Sequence, residues 1–306
     1  MIGSMRIGCA AATLAGVLMA GAAAAQVPPE IAAQLRQFGP VVDLRVGGLY
    51  APLQPKPPYA GVDVARDIAY GPDPLQKLDL WVPTAKAAGR PVLVFVHGGG
   101  FVRGDKAPPG SPFNDNMMVW ATAHGMVGVN INYRLAPKDP WPAGAQDVGA
   151  AVAWIRANIA RSGGDPERIT LWGHSAGASH VADYLAHPEL HPGQPGVESA
   201  VLMSGVYDAM PAPSPYYGKD AATVAGLASK PGLLKTGVRL MVINAELDPP
   251  FMIASGKALD ADLPKAGRPH AYLLAKDHDH LSEGLAVGTA DVSVSGPVLA
   301  FIKAGR

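Results

Sequence analysis

Cysteine is almost missing from this chain. Its 306 residues contain one, Cys9, inside the first 25. A single cysteine cannot form a disulfide within the chain, and residues 26–306 hold no thiol nucleophile. Net charge is missing as well, with Lys+Arg and Asp+Glu equal at 25 each. That balance points to neither nucleic acid nor an anionic surface as a partner. Charged residues make up 16% of the chain against 48% hydrophobic, a proportion that suits a well-buried core. There is no internal repeat, and the proline-rich stretches 51–59, 107–112 and 211–216 are too short for interdomain linkers. They read as surface loops.

The long uncharged apolar run is at the start. Residues 1–6 carry one positive charge, 7–25 are apolar and small, and Ala23-Ala24-Ala25 precedes Gln26. This predicts a secretory signal peptide over 1–25, cleaved without leaving a membrane anchor, and a periplasmic or extracellular location. Cys9 comes before most of the run, where a lipoprotein cysteine would not be. An N-terminal segment over 26–59 and one catalytic domain over 60–306 follow.

Residues 62–70 and 75–82 alternate like half-buried strands around the turn Gly71-Pro72-Asp73-Pro74, which predicts an edge hairpin. Residues 92–96 form a continuous apolar run, as in a strand buried on both faces. Further strands are expected at 127–132, 168–172, 199–204, 238–244 and 270–275. Helical patterns fall at 114–124, 146–161, 176–186, 255–266 and 292–304. Strand and helix alternate, so the fold class is α/β, a mostly parallel sheet with helices on both faces. Ligands of such sheets bind beyond the C-terminal ends of the strands.

The loops after those strands hold the candidate chemistry. Gly173-His174-Ser175-Ala176-Gly177 spells G-x-S-x-G, a strand-to-helix elbow presenting a serine hydroxyl. With 36 glycines in the chain the pentapeptide alone is weak, and its neighbours must support it. His97-Gly98-Gly99-Gly100-Phe101 follows the buried strand, where bare glycine amides can face a developing oxyanion. Ala176 starts the helix after the elbow and offers a further amide. Asp248 follows the strand at 238–244, with Asp208 and Glu246 as other candidate acids. His278 and His280 compete for the general base. His280 is preferred because an apolar residue and a helix-like segment follow it. A metal reading of this His/Asp cluster lacks a third ligand nearby, so no metal is expected. The order Ser175, Asp248, His280 is that of the α/β-hydrolase arrangement.

On these residues, with Asn132-Tyr133-Arg134-Leu135-Ala136-Pro137 and Ser204-Gly205-Val206-Tyr207-Asp208, the chain resembles the α/β-hydrolase superfamily over roughly residues 60–304. Within it, the chain is similar to hormone-sensitive-lipase-like and arylformamidase-like carboxylesterases. The resemblance implies Ser175 as nucleophile, Asp248 as orienting acid and His280 as base. It also implies Gly99, Gly100 and Ala176 as oxyanion donors, and His97 and Arg134 as structural. No cofactor is implied, and a small-molecule ester is the expected partner. Formamide or amide hydrolysis, a sugar-ester deacylase and a non-catalytic binding protein remain the other readings. Residues 26–49 do not spell the N-terminal cap helices of the hormone-sensitive-lipase-like members, and 211–235 leaves room for a small cap only. Expected pocket residues are Phe101, Val102, Tyr207, Tyr216, Tyr217 and Phe251.

Overall fold

A computed structural model describes residues 26–191 and 193–305. The signal peptide expected over 1–25 lies outside the described residues. Eight strands carry the fold: β1 (Val62–Ala69), β2 (Lys77–Pro83), β3 (Arg90–Val96), β4 (Val127–Ile131), β5 (Gly164–His174), β6 (Ser199–Met203), β7 (Arg239–Leu247) and β8 (His270–Asp279). They form one sheet in the order β1-β2-β4-β3-β5-β6-β7-β8. β1 pairs antiparallel with β2, and β2 with β4. All pairings from β4 to β8 are parallel. The edge hairpin and the parallel remainder match the alternation read in the sequence.

Side chains alternate across the sheet, so each central strand feeds two cores. Val94, Val129, Leu171, Leu202 and Val242 face one side, where α4 (Ala143–Asn158), α5 (Ala176–Ala186) and α8 (Pro250–Asp262) cover them. Leu93, Phe95, Trp172, Val201 and Ile243 face the other, under α3 (Asp115–Ala123) and α10 (Ser295–Lys303). Each fully buried Val, Leu or Ile contributes about 1.5–3 kcal/mol, which explains why these core-facing positions are apolar.

Three expectations need correction. Residues 26–49 do hold helices, α1 (Pro29–Phe38) and most of α2 (Val46–Tyr50). Ile31, Leu35, Val46 and Tyr50 bury in one cluster with Ala286, so packing joins the local signals of α1, Pro29 at its start and Gly39 at its end, in fixing them. The helix expected at 255–266 starts instead at Pro250, because proline suits a first helical turn, whose amides lack intrahelical partners. β5 and β8 also run beyond their expected ends to His174 and Asp279, so both deliver their residues directly to the site. The 211–235 segment carries only α6 (Ala221–Gly226) and α7 (Lys230–Leu233).

Candidate active site

β5 ends at His174, and α5 starts at Ala176. Between them Ser175 has φ 55° and ψ −124°, a conformation costly for a residue with a Cβ. The turn is enforced by crowding. A Cβ on Gly177 would stand 2.1 Å from the carbonyl oxygen of Val96, and one on Gly173 2.5 Å from that of Gly177. Only glycine permits such close approach, and the Ser175 amide then donates to Met203 O at 2.8 Å.

His280 lies just past β8 with both ring nitrogens engaged. Nε2 is 2.8 Å from Ser175 Oγ, and Nδ1 is 2.8 Å from Asp248 Oδ1. The other carboxylate oxygen of Asp248 accepts from Ser204 Oγ at 2.5 Å, Ala245 N at 2.9 Å and Asn244 Nδ2 at 3.3 Å. Asp248 and His280 are both buried. A carboxylate held by several donors and facing an imidazole N–H fixes the ring so that Nε2 can accept the serine proton.

The competing groups are spent elsewhere. His278 is buried between Ser282 Oγ and Ser293 Oγ, each at 3.0 Å, with Asp291 at 3.2 Å. Asp208 pairs with Lys230 at 2.8 Å, and Glu246 accepts the Asp277 amide at 2.9 Å.

Gly99 and Gly100 take φ values of 138° and 62°, and the carbonyl of Gly99 closes the turn by accepting from Val102 N and Arg103 N. The amides of Gly99, Gly100 and Ala176 donate to no other described residue. His97 stacks on Tyr133 with 4.4 Å between ring centroids, and burial lowers its pKa. Arg134 has a definite partner, Asp147, reached through Nε at 3.0 Å and Nη2 at 2.7 Å. Gln76 binds the same carboxylate at 2.7 Å.

Two cavities meet at Ser175. One, of about 590 Å³, is lined by His280, His97 and Leu44 among others, and the second, of about 290 Å³, by Phe101, Val206 and Phe251. Of the expected pocket residues, Phe101 and Phe251 line the smaller cavity, while Val102, Tyr207, Tyr216 and Tyr217 line neither. The tyrosines turn inward because their buried hydroxyls need partners. Tyr207 donates to Leu202 O, Tyr217 to Asp183, and Tyr216 accepts the Gly144 amide. Tyr216 and Tyr217 instead form an aromatic cluster behind Phe101.

Several participants carried no separable signal in the sequence. Ser204 and Asn244 hold Asp248 from strand ends. His174, the variable residue of the elbow, donates from Nε2 to His280 O at 2.7 Å. Burial first, and the neighbouring His280 second, push its pKa down to about 3, so the ring is neutral. Glu283 is buried 3.7 Å from His174 Nε2, and its oxygens find no well-formed hydrogen-bond partner. Burial, with the charge of Asp248 next, raises its pKa well above the usual range. His174, His280 and Glu283 bring ligating atoms within 4.8 Å of one another. Both nitrogens of His280 are already engaged by Ser175 and Asp248.

A strand-to-helix serine elbow on a mostly parallel sheet, with acid and histidine after the next strands in order, decides the architecture. The chain is an α/β-hydrolase by fold. Residues 78–190 match the BD-FAE family model. The esterase LipQ of Mycobacterium tuberculosis (strain ATCC 25618 / H37Rv) is 35% identical over 235 residues, covering 70% of this chain and 53% of LipQ. The phenmedipham hydrolase of Pseudarthrobacter oxydans is 36% identical over 158 residues, covering 47% of this chain and 30% of that protein. The chain spans about half, or less, of the length of the curated relatives it matches. Among solved structures, an arylesterase superposes with TM-score 0.65 at 20% identity, over 90% of this chain and 99% of that one. Esterase B of Lactobacillus rhamnosis (HN001) superposes with TM-score 0.69 at 18% identity, over 90% and 93%. The α/β-hydrolase therefore resembles esterases in both sequence and architecture.

Proposed function

We propose that this α/β-hydrolase is a serine carboxylesterase acting on small carboxylic esters. The observation that carries the reading is His280 bridging Ser175 and Asp248 at 2.8 Å on each side, beside three unengaged amides. Ser175 Oγ attacks the ester carbonyl as His280 Nε2 takes its proton, and Asp248 steadies the imidazolium. The amides of Gly99, Gly100 and Ala176 receive the oxyanion, an effect worth about 3 kcal/mol per donor at comparable sites. His280 then protonates the alcohol as the carbonyl–oxygen bond breaks. Water, deprotonated by the same histidine, cleaves the acyl-enzyme. Every step uses groups of this chain.

Hydrolysis of 4-nitrophenyl acetate by residues 26–306 tests the reading. Ser175→Ala and His280→Ala should each remove about 10⁴-fold or more of kcat, with His278→Ala retaining turnover. A folded protein inert toward esters but active on the matching anilide or formamide would replace this reading with amide hydrolysis. We further propose export, supported by the charged start, apolar run and Ala-x-Ala end of residues 1–25. Cell fractionation of the full chain, with N-terminal sequencing of the product, should place a chain beginning at Gln26 outside the cytoplasm.

A further inference from the structure

The two cavities differ in size, polarity and access to His280, and this orients the ester. This orientation rests on the esterase reading above. In the tetrahedral intermediate the oxyanion faces the amides of Gly99, Gly100 and Ala176, and the leaving oxygen must lie within reach of the proton on His280 Nε2. His280 lines the cavity of about 590 Å³ and does not line the cavity of about 290 Å³. The alcohol therefore departs into the larger space, which leaves the smaller one for the acyl group.

The chemistry of the walls agrees with this direction. Val206, Met210, Pro211, Pro213 and Phe251 make the smaller cavity apolar. Its serine hydroxyls are already committed: Ser179 to Val206, Ser204 to Asp248, and Ser214 to the amides of Tyr216 and Tyr217. Apart from the oxyanion amides of Gly100 and Ala176, no free side-chain polar group among the described residues awaits an acyl substituent there. The larger cavity has Arg103 on its wall, exposed, its guanidinium making no hydrogen bond or ion pair to any described residue. Asp105, the acid beside it, is spent on the amide of Ala107 and the side chain of Asn132. Val42 and Leu44, both exposed, extend that wall outward.

We propose that the preferred substrate joins a short apolar acyl group to a bulky alcohol that carries an oxygen acceptor, and that Arg103 reads that acceptor. The acyl arm ends against Val206 and Met210, and the alcohol lies along Leu44 toward Arg103.

The test uses two substrate series with residues 26–306. Along 4-nitrophenyl acetate, butyrate, hexanoate and octanoate, kcat/KM should fall by about tenfold or more at the longer acyl chains. Val206→Ala and Met210→Ala should move that fall to longer chains. Leu44→Trp should leave the acyl profile in place and lower the preference for 2-naphthyl acetate over ethyl acetate. In the second series, the ratio of kcat/KM for 4-acetoxybenzoate to that for phenyl acetate should drop about threefold in Arg103→Ala. A profile flat to octanoate, shortened by Leu44→Trp and untouched by Val206→Ala, would reverse the orientation while leaving the esterase reading intact. An unchanged ratio in Arg103→Ala would remove Arg103 from substrate recognition. A folded protein that cleaves none of these esters would sink the esterase reading and this orientation together.

Discussion

The Nε2 atom of His174 donates a hydrogen bond to the carbonyl oxygen of His280 across 2.7 Å. The two residues are 106 positions apart, yet one precedes the candidate nucleophile and the other is the candidate base. The bond ties the end of β5 to the loop after β8. Because burial holds the His174 pKa at about 3, its ring stays neutral and keeps this donor throughout the working pH range. His174→Phe keeps a planar aromatic ring but loses the donor. We expect about a tenfold lower kcat with KM little changed, since a small misplacement of a catalytic group costs on that order or more. His174→Gln, which can restore a donor, should recover part of the loss. Unaltered kcat in His174→Phe would show that the bond does not position His280.

Asp248→Asn separates charge from shape. Ser204, Asn244 and the Ala245 amide can still hold the side chain, but its amide can no longer fix the imidazole in the tautomer that accepts from Ser175. A loss of about 10⁴-fold in kcat is expected, with native thermal stability within a few degrees. Steady-state kinetics beside circular dichroism checks this. A loss under tenfold would mean that another group orients His280.

Asp183 links the fold to pH. It lies buried in α5 beneath the 211–235 segment, accepting from Tyr217 OH at 2.8 Å and Ser229 Oγ at 2.5 Å. Burial raises its pKa from 3.8 to about 7. The native state therefore holds a proton that the unfolded chain releases, so this contribution is complete below pH 3.8 and is lost as pH rises through about 7. It amounts to roughly 4 kcal/mol at most. Thermal melts between about pH 4 and pH 8 should show the advantage of wild type over Asp183→Asn shrinking as pH rises. Parallel curves would refute the shift.

Gly177→Ala tests the elbow. The added Cβ would stand 2.1 Å from Val96 O and 2.5 Å from His97 O, and neither backbone atom can yield without moving the end of β3. We expect destabilisation on the order of 3 kcal/mol or more, together with loss of turnover. A soluble variant melting with wild type would show that the elbow can relax.

Much of the site was legible because its residues sit where chain direction changes. Glycine at 173 and 177, the glycine run after β3, and Asp248 and His280 after β7 and β8 stand out against apolar strands. The spacing of strands and helices fixed the sheet class for the same reason, since alternating burial repeats locally. Helix α1 carries local signals, with Pro29 and Glu30 in its first turn, Arg36 in its last and Gly39 just beyond, whereas α2 spans five residues whose apolar face finds partners only in distant residues such as Phe113, Leu281 and Ala286.

The sequence by itself determined the alternating architecture, the serine elbow and the order of the acidic and basic residues, because each is written in local pattern. Only the tertiary structure distinguishes His278 from His280, for the two lie two residues apart and differ in what surrounds them. One is enclosed by Ser282, Ser293 and Asp291, and the other spans Asp248 and Ser175. The same holds for the inward tyrosines and for the two cavities. Those depend on which distant side chains fill space, and packing in three dimensions leaves no period in the chain.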